Sequence, residues 1–145
     1  NGIVHLSQAE RVWVPNSIFL EPDRLKGAER EKIFFLAFQE PRFPSPEWFR
    51  GVRWATRKEE MTGPDFFILM TEGVEMPVNV KSSSRGVKNF KKDQRRRSNL
   101  KFVIPFVVQE DDTNETIREN LFQRAEKWRA EFLAEILGQG GKNAV

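Results

Sequence analysis

Residues 63–81 read GPDFFILMTEGVEMPVNVK and predict two strands joined by a tight turn. The run Phe66–Met70 is continuously apolar, which is typical of a strand that is covered on both faces. Thr71, Glu72 and Gly73 reverse the chain direction, and residues 76–81 then alternate between apolar and polar side chains. The segment therefore predicts an antiparallel hairpin.

Polar side chains lie at the open end of this hairpin. Asp65 and Asn79 are each seven residues from Glu72, so antiparallel pairing brings them together, with Lys81 two residues further along the same face. A carboxylate, a second oxygen ligand and an ammonium at one sheet end suit a hard divalent cation, and the lysine can orient a water. The alternatives are that Asp65 only caps a turn and that Lys81 is an ordinary strand-end lysine.

The residues on both sides of the hairpin predict further elements. They are a helix over 26–39, a proline-rich loop over 40–46, a strand over 52–57, a basic helix over 86–98, a strand over 102–108 and an amphipathic helix over 113–137. Pro105 places the fourth strand at an edge or a bulge. The last helix has an apolar stripe that predicts either core packing or a dimer seam: Ile117, Leu121, Ala125, Trp128, Phe132 and Ile136.

The order of these elements, α-β-β-β-α-β, predicts a single α/β domain. We expect a mixed sheet flanked by helices, followed by the C-terminal amphipathic helix. Within residues 1–145 we expect an N-terminal arm over 1–25, the core over 26–108, the last helix over 113–137 and a flexible tail over 138–145.

The composition limits the chemistry that is available to the chain. Its 145 residues include no Cys and one His, His5, which excludes disulfide scaffolds, thiolate metal sites and cysteine nucleophiles. Any catalysis must then use carboxylates, lysine and a bound metal. No run of about 18 apolar residues and no leader pattern is present, so we expect a cytoplasmic protein without a membrane partner.

The positive charge is concentrated in one segment. The whole chain has a net charge of +3, but residues 81–101 contain nine Lys and Arg against one Asp, a net +8. Such a block is either a solvated face or the footprint of a phosphate-binding surface, whose binding would be salt-dependent and largely independent of sequence. The residues expected to contact nucleic acid are Ser83, Arg85, Lys88, Lys92, Arg95 and Arg96.

The arrangement Gly-x-Asp, apolar strand, turn, strand, x-x-Lys-Ser resembles the PD-(D/E)xK nuclease-like superfamily, as in archaeal Holliday junction resolvases and Mrr-type endonucleases. Pro64-Asp65, Asn79-Val80-Lys81, the serines 82–84 and the element order carry the resemblance over residues 26–108. Those resolvases also place a glutamate in the first helix after a Lys-Gly pair. Residues 26–31 read KGAERE and put Glu31 at that position, or Glu29 if the helix is offset by two residues.

The resemblance implies a restriction-endonuclease-like core that hydrolyses phosphodiester bonds, with DNA as the expected substrate. It implies that Asp65, Asn79 and Glu31, or Glu29 in its place, hold Mg²⁺ or Mn²⁺. Lys81 would position the attacking water. The catalytic set implied by the resemblance is therefore Asp65, Asn79, Lys81 and Glu31.

Asn79 departs from the family pattern, which has an acid at this position. An amide offers one neutral oxygen, so it weakens Mg²⁺ binding relative to a carboxylate. Glu29 or Glu31, Glu75 on the same strand face, or Glu60 could restore the charge. Three functions stay open: an active nuclease, a degenerate nuclease fold that binds nucleic acid, and a protein-interaction or assembly subunit, with the last helix as its seam.

Overall fold

The computed structural model describes residues 22–97, 100 and 102–143, which form one α/β domain. In chain order the elements are α1 (Pro22–Ala37), β1 (Phe49–Trp54), α2 (Arg57–Glu60), β2 (Phe66–Met70), β3 (Glu75–Lys81), α3 (Ser84–Arg96), β4 (Ile104–Val107) and α4 (Asn114–Asn143). A 3-10 turn, Thr71–Gly73, joins β2 to β3. Residues 1–21 of the expected arm and residues 144–145 of the expected tail lie outside the described residues.

The four strands form one mixed sheet in the order β1-β2-β3-β4. The strand pairs β1–β2 and β2–β3 are antiparallel, whereas β3–β4 is parallel. This confirms the predicted α/β class and the α-β-β-β-α-β order, to which the structure adds the short helix α2. β4 lies at the edge of the described sheet, where the missing N–H of Pro105 is tolerated because no described strand lies beyond it to accept a ladder bond.

The hairpin pairs in the register that the sequence predicts. Phe66 lies opposite Val78, and one step further this register places Asp65 opposite Asn79. The turn contains Glu72 at φ 64° and Gly73 at φ 74°, two consecutive left-handed residues that reverse the chain. The open end of the hairpin is thereby fixed by a local turn and a short ladder.

The main core lies on one face of the sheet, where α1 and α4 pack. Phe34 of α1 is fully buried at its centre, with its ring centroid 4.9 Å from Phe66, 5.2 Å from Phe38 and 5.5 Å from Phe106. Such tilted and edge-on aromatic contacts add to the free energy of burial. The predicted stripe of α4 contributes four buried residues: Ile117, Leu121, Ala125 and Trp128. Further along the stripe, Ile136 is 47% exposed.

Several element bounds differ from the sequence expectation. α1 begins at Pro22 rather than at residue 26, inside the expected arm of 1–25, because proline fits the first position of a helix. β1 ends at Trp54 because residues 57–60 form α2 instead of continuing the strand. α4 runs to Asn143, through residues 138–143 of the expected tail. Gly138, Gly140 and Gly141 each cost the helix about 1 kcal/mol, but a helix that is already formed gains one hydrogen bond with each added residue.

A second, smaller buried cluster lies between α3 and the segment that precedes β4. This helix begins at Ser84, with the Ser83 hydroxyl accepting a hydrogen bond from the Gly86 N–H at 3.2 Å. Phe90 packs with Leu100 and Val103 in a separate buried cluster. β4 is therefore shorter than the predicted 102–108, because Val103 joins this cluster before the strand begins. None of the described helices has the length and apolar character needed to cross a lipid bilayer.

Candidate active site

The carboxylate of Asp65 is held at the open end of the β2–β3 hairpin. The Asp65 backbone N–H donates to the Val78 carbonyl at 2.8 Å, and Asp65 Oδ2 accepts the Val80 N–H at 2.8 Å. The side chain thus continues the ladder by one bond beyond the last strand pair. In the described part of the chain, Oδ1 of this carboxylate has no hydrogen-bond partner.

Asn79 is one of two buried polar side chains among the described residues, with 8% of its surface exposed. Its Nδ2 donates to the Gly63 carbonyl at 2.6 Å, but its Oδ1 is buried without a hydrogen-bond partner. An unsatisfied buried oxygen costs about 1–3 kcal/mol, so such atoms are rare unless a ligand or water satisfies them. The Oδ1 atom is available to a cation at the same sheet end as Asp65.

Gly63 connects α2 to β2 and must be glycine for two reasons. Its φ is 121°, a conformation that residues with a side chain rarely adopt. A Cβ at this position would also collide with a methyl group of Leu100. A side chain at this position would therefore displace the segment whose carbonyl Asn79 contacts.

Glu31 is the glutamate of α1 that faces this sheet end. Burial raises the pKa of Glu31, the negative charges of Asp65 and Glu60 raise it further, and the Lys81 ammonium lowers it. Glu29 is exposed, and two residues along a helix lie roughly 200° apart, so both glutamates cannot face the same site. Between the two positions that the sequence left open, the structure brings Glu31 to Asp65.

The pKa of Asp65 is also raised. Burial is the main cause and the Glu60 charge adds to it, whereas the bond from the Val80 N–H and the Lys81 charge act in the opposite direction. Asp65 and Glu31 therefore repel each other and favour either protonation or a bound cation. Carboxyl groups with strongly perturbed pKa values in one cluster are typical of functional sites.

The Lys81 side chain is held against α3. Its Nζ lies 5.3 Å from the centroid of the Phe90 ring. A Cβ built on Gly86 would lie 3.4 Å from both Cβ and Cδ of Lys81, so the helix backbone contacts the aliphatic part of the lysine directly. These contacts restrict the ammonium to the region where it influences Asp65 and Glu31.

The other two candidate acids have different surroundings. Glu75 pairs with Arg53 Nε at 2.8 Å, and it belongs to the Arg53 cluster, which we define as Arg53, Glu59 and Glu75. Glu75 therefore does not restore the charge that Asn79 lacks. Glu60 of α2 is half-buried, and its charge raises the pKa of both Glu31 and Asp65.

The donor set at this sheet end consists of carboxylates and one amide. Among residues 22–97, 100 and 102–143, no three Asp, Glu, His or Cys side chains come together as a ready-made metal cluster. The oxygen donors at this sheet end are instead those of Asp65 and Asn79, which lie opposite each other in the register, and of Glu31, which interacts electrostatically with Asp65 and Lys81. A cation with several retained waters fits such a set, as Mg²⁺ does in many proteins.

The basic residues of α3 form a stripe on its outer face. Helical geometry places Arg85, Lys88, Lys92, Arg95 and Arg96 within an arc of about 100°, and all five are exposed. Phe90 and Gln94 lie on the opposite, inward face, where Gln94 Nε2 donates to the Leu100 and Val103 carbonyls at 2.8 and 2.6 Å. Within the described part of the chain, none of the five cations forms an ion pair. Ser83, the sixth expected contact, is exposed and caps α3.

Sequence reasoning did not identify α2 or its contacts. The helix has a capping box in which Thr56 and Glu59 exchange hydrogen bonds at 2.9 and 3.2 Å. The spacing Thr-x-x-Glu was the available signal. Arg30 was also not singled out; it is 4% exposed, and its Nε and Nη1 atoms are buried without partners.

We compared the chain with family models, with curated proteins and with solved structures, and none of the three comparisons finds a match.

Proposed function

We propose that the chain is a metal-dependent, nuclease-like domain that hydrolyses phosphodiester bonds in nucleic acid, with DNA as the expected substrate. One observation carries the proposal: the carboxylates of Glu31 and Asp65 and the Lys81 ammonium interact electrostatically at the sheet end where Asn79, opposite Asp65 in the register, has a buried oxygen without a partner. The resemblance to PD-(D/E)xK nucleases and the α-β-β-β-α-β order support it.

Mg²⁺ or Mn²⁺ fits the donor set at this site. Glu31, Asp65 Oδ1 and Asn79 Oδ1 would hold the cation, since all three offer oxygens and none is neutralised by an arginine in the described structure. When bound, such a cation lowers the pKa of a coordinated water and polarises a phosphate oxygen. The Lys81 ammonium would orient the attacking water and offset charge that develops on the phosphate.

The basic stripe of α3 would hold the nucleic acid. The stripe begins at Arg85, four residues after Lys81, so a phosphate backbone that follows it passes close to the site. Contacts of this kind release counterions and carry little sequence information. Exposed Ile136 and Leu137 on α4 would form the contact of a homodimer, and we expect the protein to act in the cytoplasm.

The test is cleavage of duplex, branched and single-stranded DNA by the purified protein with Mg²⁺ or Mn²⁺. We expect cleavage of at least one substrate and a loss of about a hundredfold or more in Asp65→Ala, because that variant removes a metal ligand. Glu72→Gln is the matched control, since Glu72 pairs with Arg129 at the turn end of the hairpin. Intact DNA in every mixture would contradict the proposal, as would full activity in Asp65→Ala.

A second candidate is a nucleic-acid-binding module that keeps the fold without the chemistry. The amide of Asn79 at the position of an acid favours it, because a neutral ligand weakens cation binding. Calorimetry distinguishes the two functions. DNA binding that falls with salt, without any binding of Mg²⁺ or Mn²⁺, would select the binding module, and no DNA binding even at low salt would select an assembly role.

A further inference from the structure

Two adjacent glutamates of α2 have different partners. Glu59 accepts hydrogen bonds from Nη1 and Nη2 of Arg53 at 2.8 and 2.9 Å, and it closes the capping box with Thr56. These contacts attach the single turn of α2 to the sheet. The next residue, Glu60, is therefore held in a fixed place even though α2 has only four residues.

Glu60 lies next to the open end of the hairpin. Its carbonyl accepts the Gly63 N–H at 3.0 Å, and the Gly63 carbonyl accepts Nδ2 of Asn79 at 2.6 Å. Two hydrogen bonds thus connect the backbone of Glu60 to Asn79. The Glu60 carboxylate is half-buried, and no residue in the described structure donates a hydrogen bond to it or forms an ion pair with it.

The acids around the site outnumber the cations. Glu31, Asp65 and Glu60 interact electrostatically with one another, Lys81 acts on both Glu31 and Asp65, and Arg57 acts on Glu60. When ionised, these three carboxylates and two cations have a net charge of −1. The excess negative charge favours a bound cation. Independently of these acids, Asn79 is 8% exposed and its Oδ1 lacks a partner, which indicates a ligand at this position.

We propose that Glu60 supplies the third negative charge of the cation site, in place of the acid that position 79 lacks. This inference rests on the proposed function. Two hydrogen bonds separate the backbone of Glu60 from Asn79, so Glu60 acts through water molecules of a hydrated cation rather than as a direct ligand. Mg²⁺ suits this arrangement because it retains several of its waters.

The hydrogen bond of Asn79 explains why the acid is not at position 79. Nδ2 of Asn79 donates to the Gly63 carbonyl, and an aspartate could not donate to that oxygen. The amide therefore fixes the segment that carries Glu60 and still presents Oδ1 to the site. In this arrangement the strand carries the neutral amide of Asn79, and Glu60 on α2 carries the negative charge instead.

The test is calorimetric titration of Mn²⁺ into the full-length protein and four variants. We expect Glu60→Gln to weaken Mn²⁺ binding about tenfold, the size of effect seen for groups that act through a ligand. Glu60→Asp should retain part of the affinity, because it keeps the charge. Glu72→Gln is the matched control: Glu72 pairs with Arg129 at the turn end of the hairpin, so this variant should bind Mn²⁺ as the unmodified protein does. Asp65→Asn tests the proposed function, and it should lose Mn²⁺ binding.

Thermal unfolding in EDTA separates a charge effect from damage to the fold. Glu59→Gln should lower the melting temperature because it removes the contact with Arg53, whereas Glu60→Gln should maintain or raise it, because it removes a repulsive half-buried charge. Unchanged Mn²⁺ affinity in Glu60→Gln, with loss in Asp65→Asn, would overturn this inference and leave the proposed function intact. Failure of the unmodified protein to bind Mn²⁺ would overturn the cation site as a whole.

Discussion

The acidic residues at the two ends of the β2–β3 hairpin differ in whether they have arginine partners. At the turn end, Glu72 lies 3.3 Å from Arg129 Nη2, and Glu75 lies 2.8 Å from Arg53 Nε. At the open end, Glu31 and Asp65 face each other, and in the described structure no arginine pairs with them. The acids that have arginine partners are stabilised in the fold, whereas burial and mutual repulsion disfavour the ionised forms of Glu31 and Asp65, which makes these two residues the candidates for function.

Adjacent residues of α2 show the same contrast. Hydrogen bonds from Arg53 lower the pKa of Glu59 to about 2, whereas burial raises the pKa of Glu60. The two side chains have the same chemistry and are adjacent in the sequence, so their surroundings cause the difference: a hydrogen-bonded arginine for Glu59 and burial for Glu60. Local sequence cannot supply this distinction, because Arg53 comes from β1 and the burial of Glu60 depends on neighbouring elements.

Alanine at Gly63 should have the largest effect of the changes that break this comparison. Gly63 and Gly73 both have positive φ, but only Gly63 has a neighbour, Leu100, in the way of a Cβ. We expect Gly63→Ala to lower the free energy of unfolding by about 3 kcal/mol, from backbone strain together with overpacking. Gly73→Ala at the turn end should lower it by about 1 kcal/mol. Urea unfolding measures both.

The same two variants also test whether Mn²⁺ binding depends on the open end of the hairpin and not on its turn end. Gly63→Ala displaces the carbonyl that Asn79 contacts, so Mn²⁺ binding should fall, whereas Gly73→Ala should leave it unchanged. Equal losses of stability in the two variants would show that Leu100 does not constrain this turn. An unaltered Mn²⁺ affinity in a folded Gly63→Ala protein would separate the turn from the site.

Aspartate at position 79 should give the next largest effect. The family pattern suggests that an acid here would improve the site, but the structure shows Nδ2 donating to the Gly63 carbonyl at 2.6 Å. In Asn79→Asp a carboxylate oxygen would face that carbonyl, and we expect a loss of about 2 kcal/mol in unfolding free energy at neutral pH. Equilibrium unfolding with and without Mn²⁺ measures it. An Asn79→Asp protein as stable as the original without metal would show that this hydrogen bond contributes little.

The sequence predicted the hairpin and its register because both depend on local features. The apolar run, the Glu72-Gly73 turn and the period of two specify which residues lie opposite each other, and they place Asp65 opposite Asn79. The choice between Glu29 and Glu31 depends on how α1 is rotated about its axis relative to the sheet. The sequence shows that the segment is helical, but the packing of Phe34 in the core sets the rotation.

The partners of the polar groups were not predictable from the sequence. Three features depend on contacts between separate elements. They are the ion pair of Arg53 with Glu59, the partial burial of Glu60 and the lack of a hydrogen-bond partner for Asn79 Oδ1. A four-residue helix such as α2 gives almost no periodic signal, and a tertiary contact decides whether it forms. The site was predictable in its backbone positions, whereas its electrostatics required the three-dimensional arrangement.

The two groups of acids should show opposite pH dependences, and the contribution of Glu59 should give the smallest effect. The pKa of Glu59 is lowered to about 2, so its contribution to stability is present above the ordinary pKa of 4.5 and is lost as the pH falls through 2. The pKa of Glu31 is raised, so the folded state binds its proton more tightly, and stability falls as the pH rises above 4.5 toward that raised pKa. Without metal, Glu31→Gln should therefore flatten the fall toward neutral pH, and Glu59→Gln should flatten the loss in acid. Because the pair of Glu59 with Arg53 is partly exposed, its share should be below about 1 kcal/mol. Melting temperatures between pH 2 and 8 in EDTA measure both pH dependences. A Glu31→Gln profile parallel to that of the unmodified protein would show that this carboxylate is not buried against Asp65.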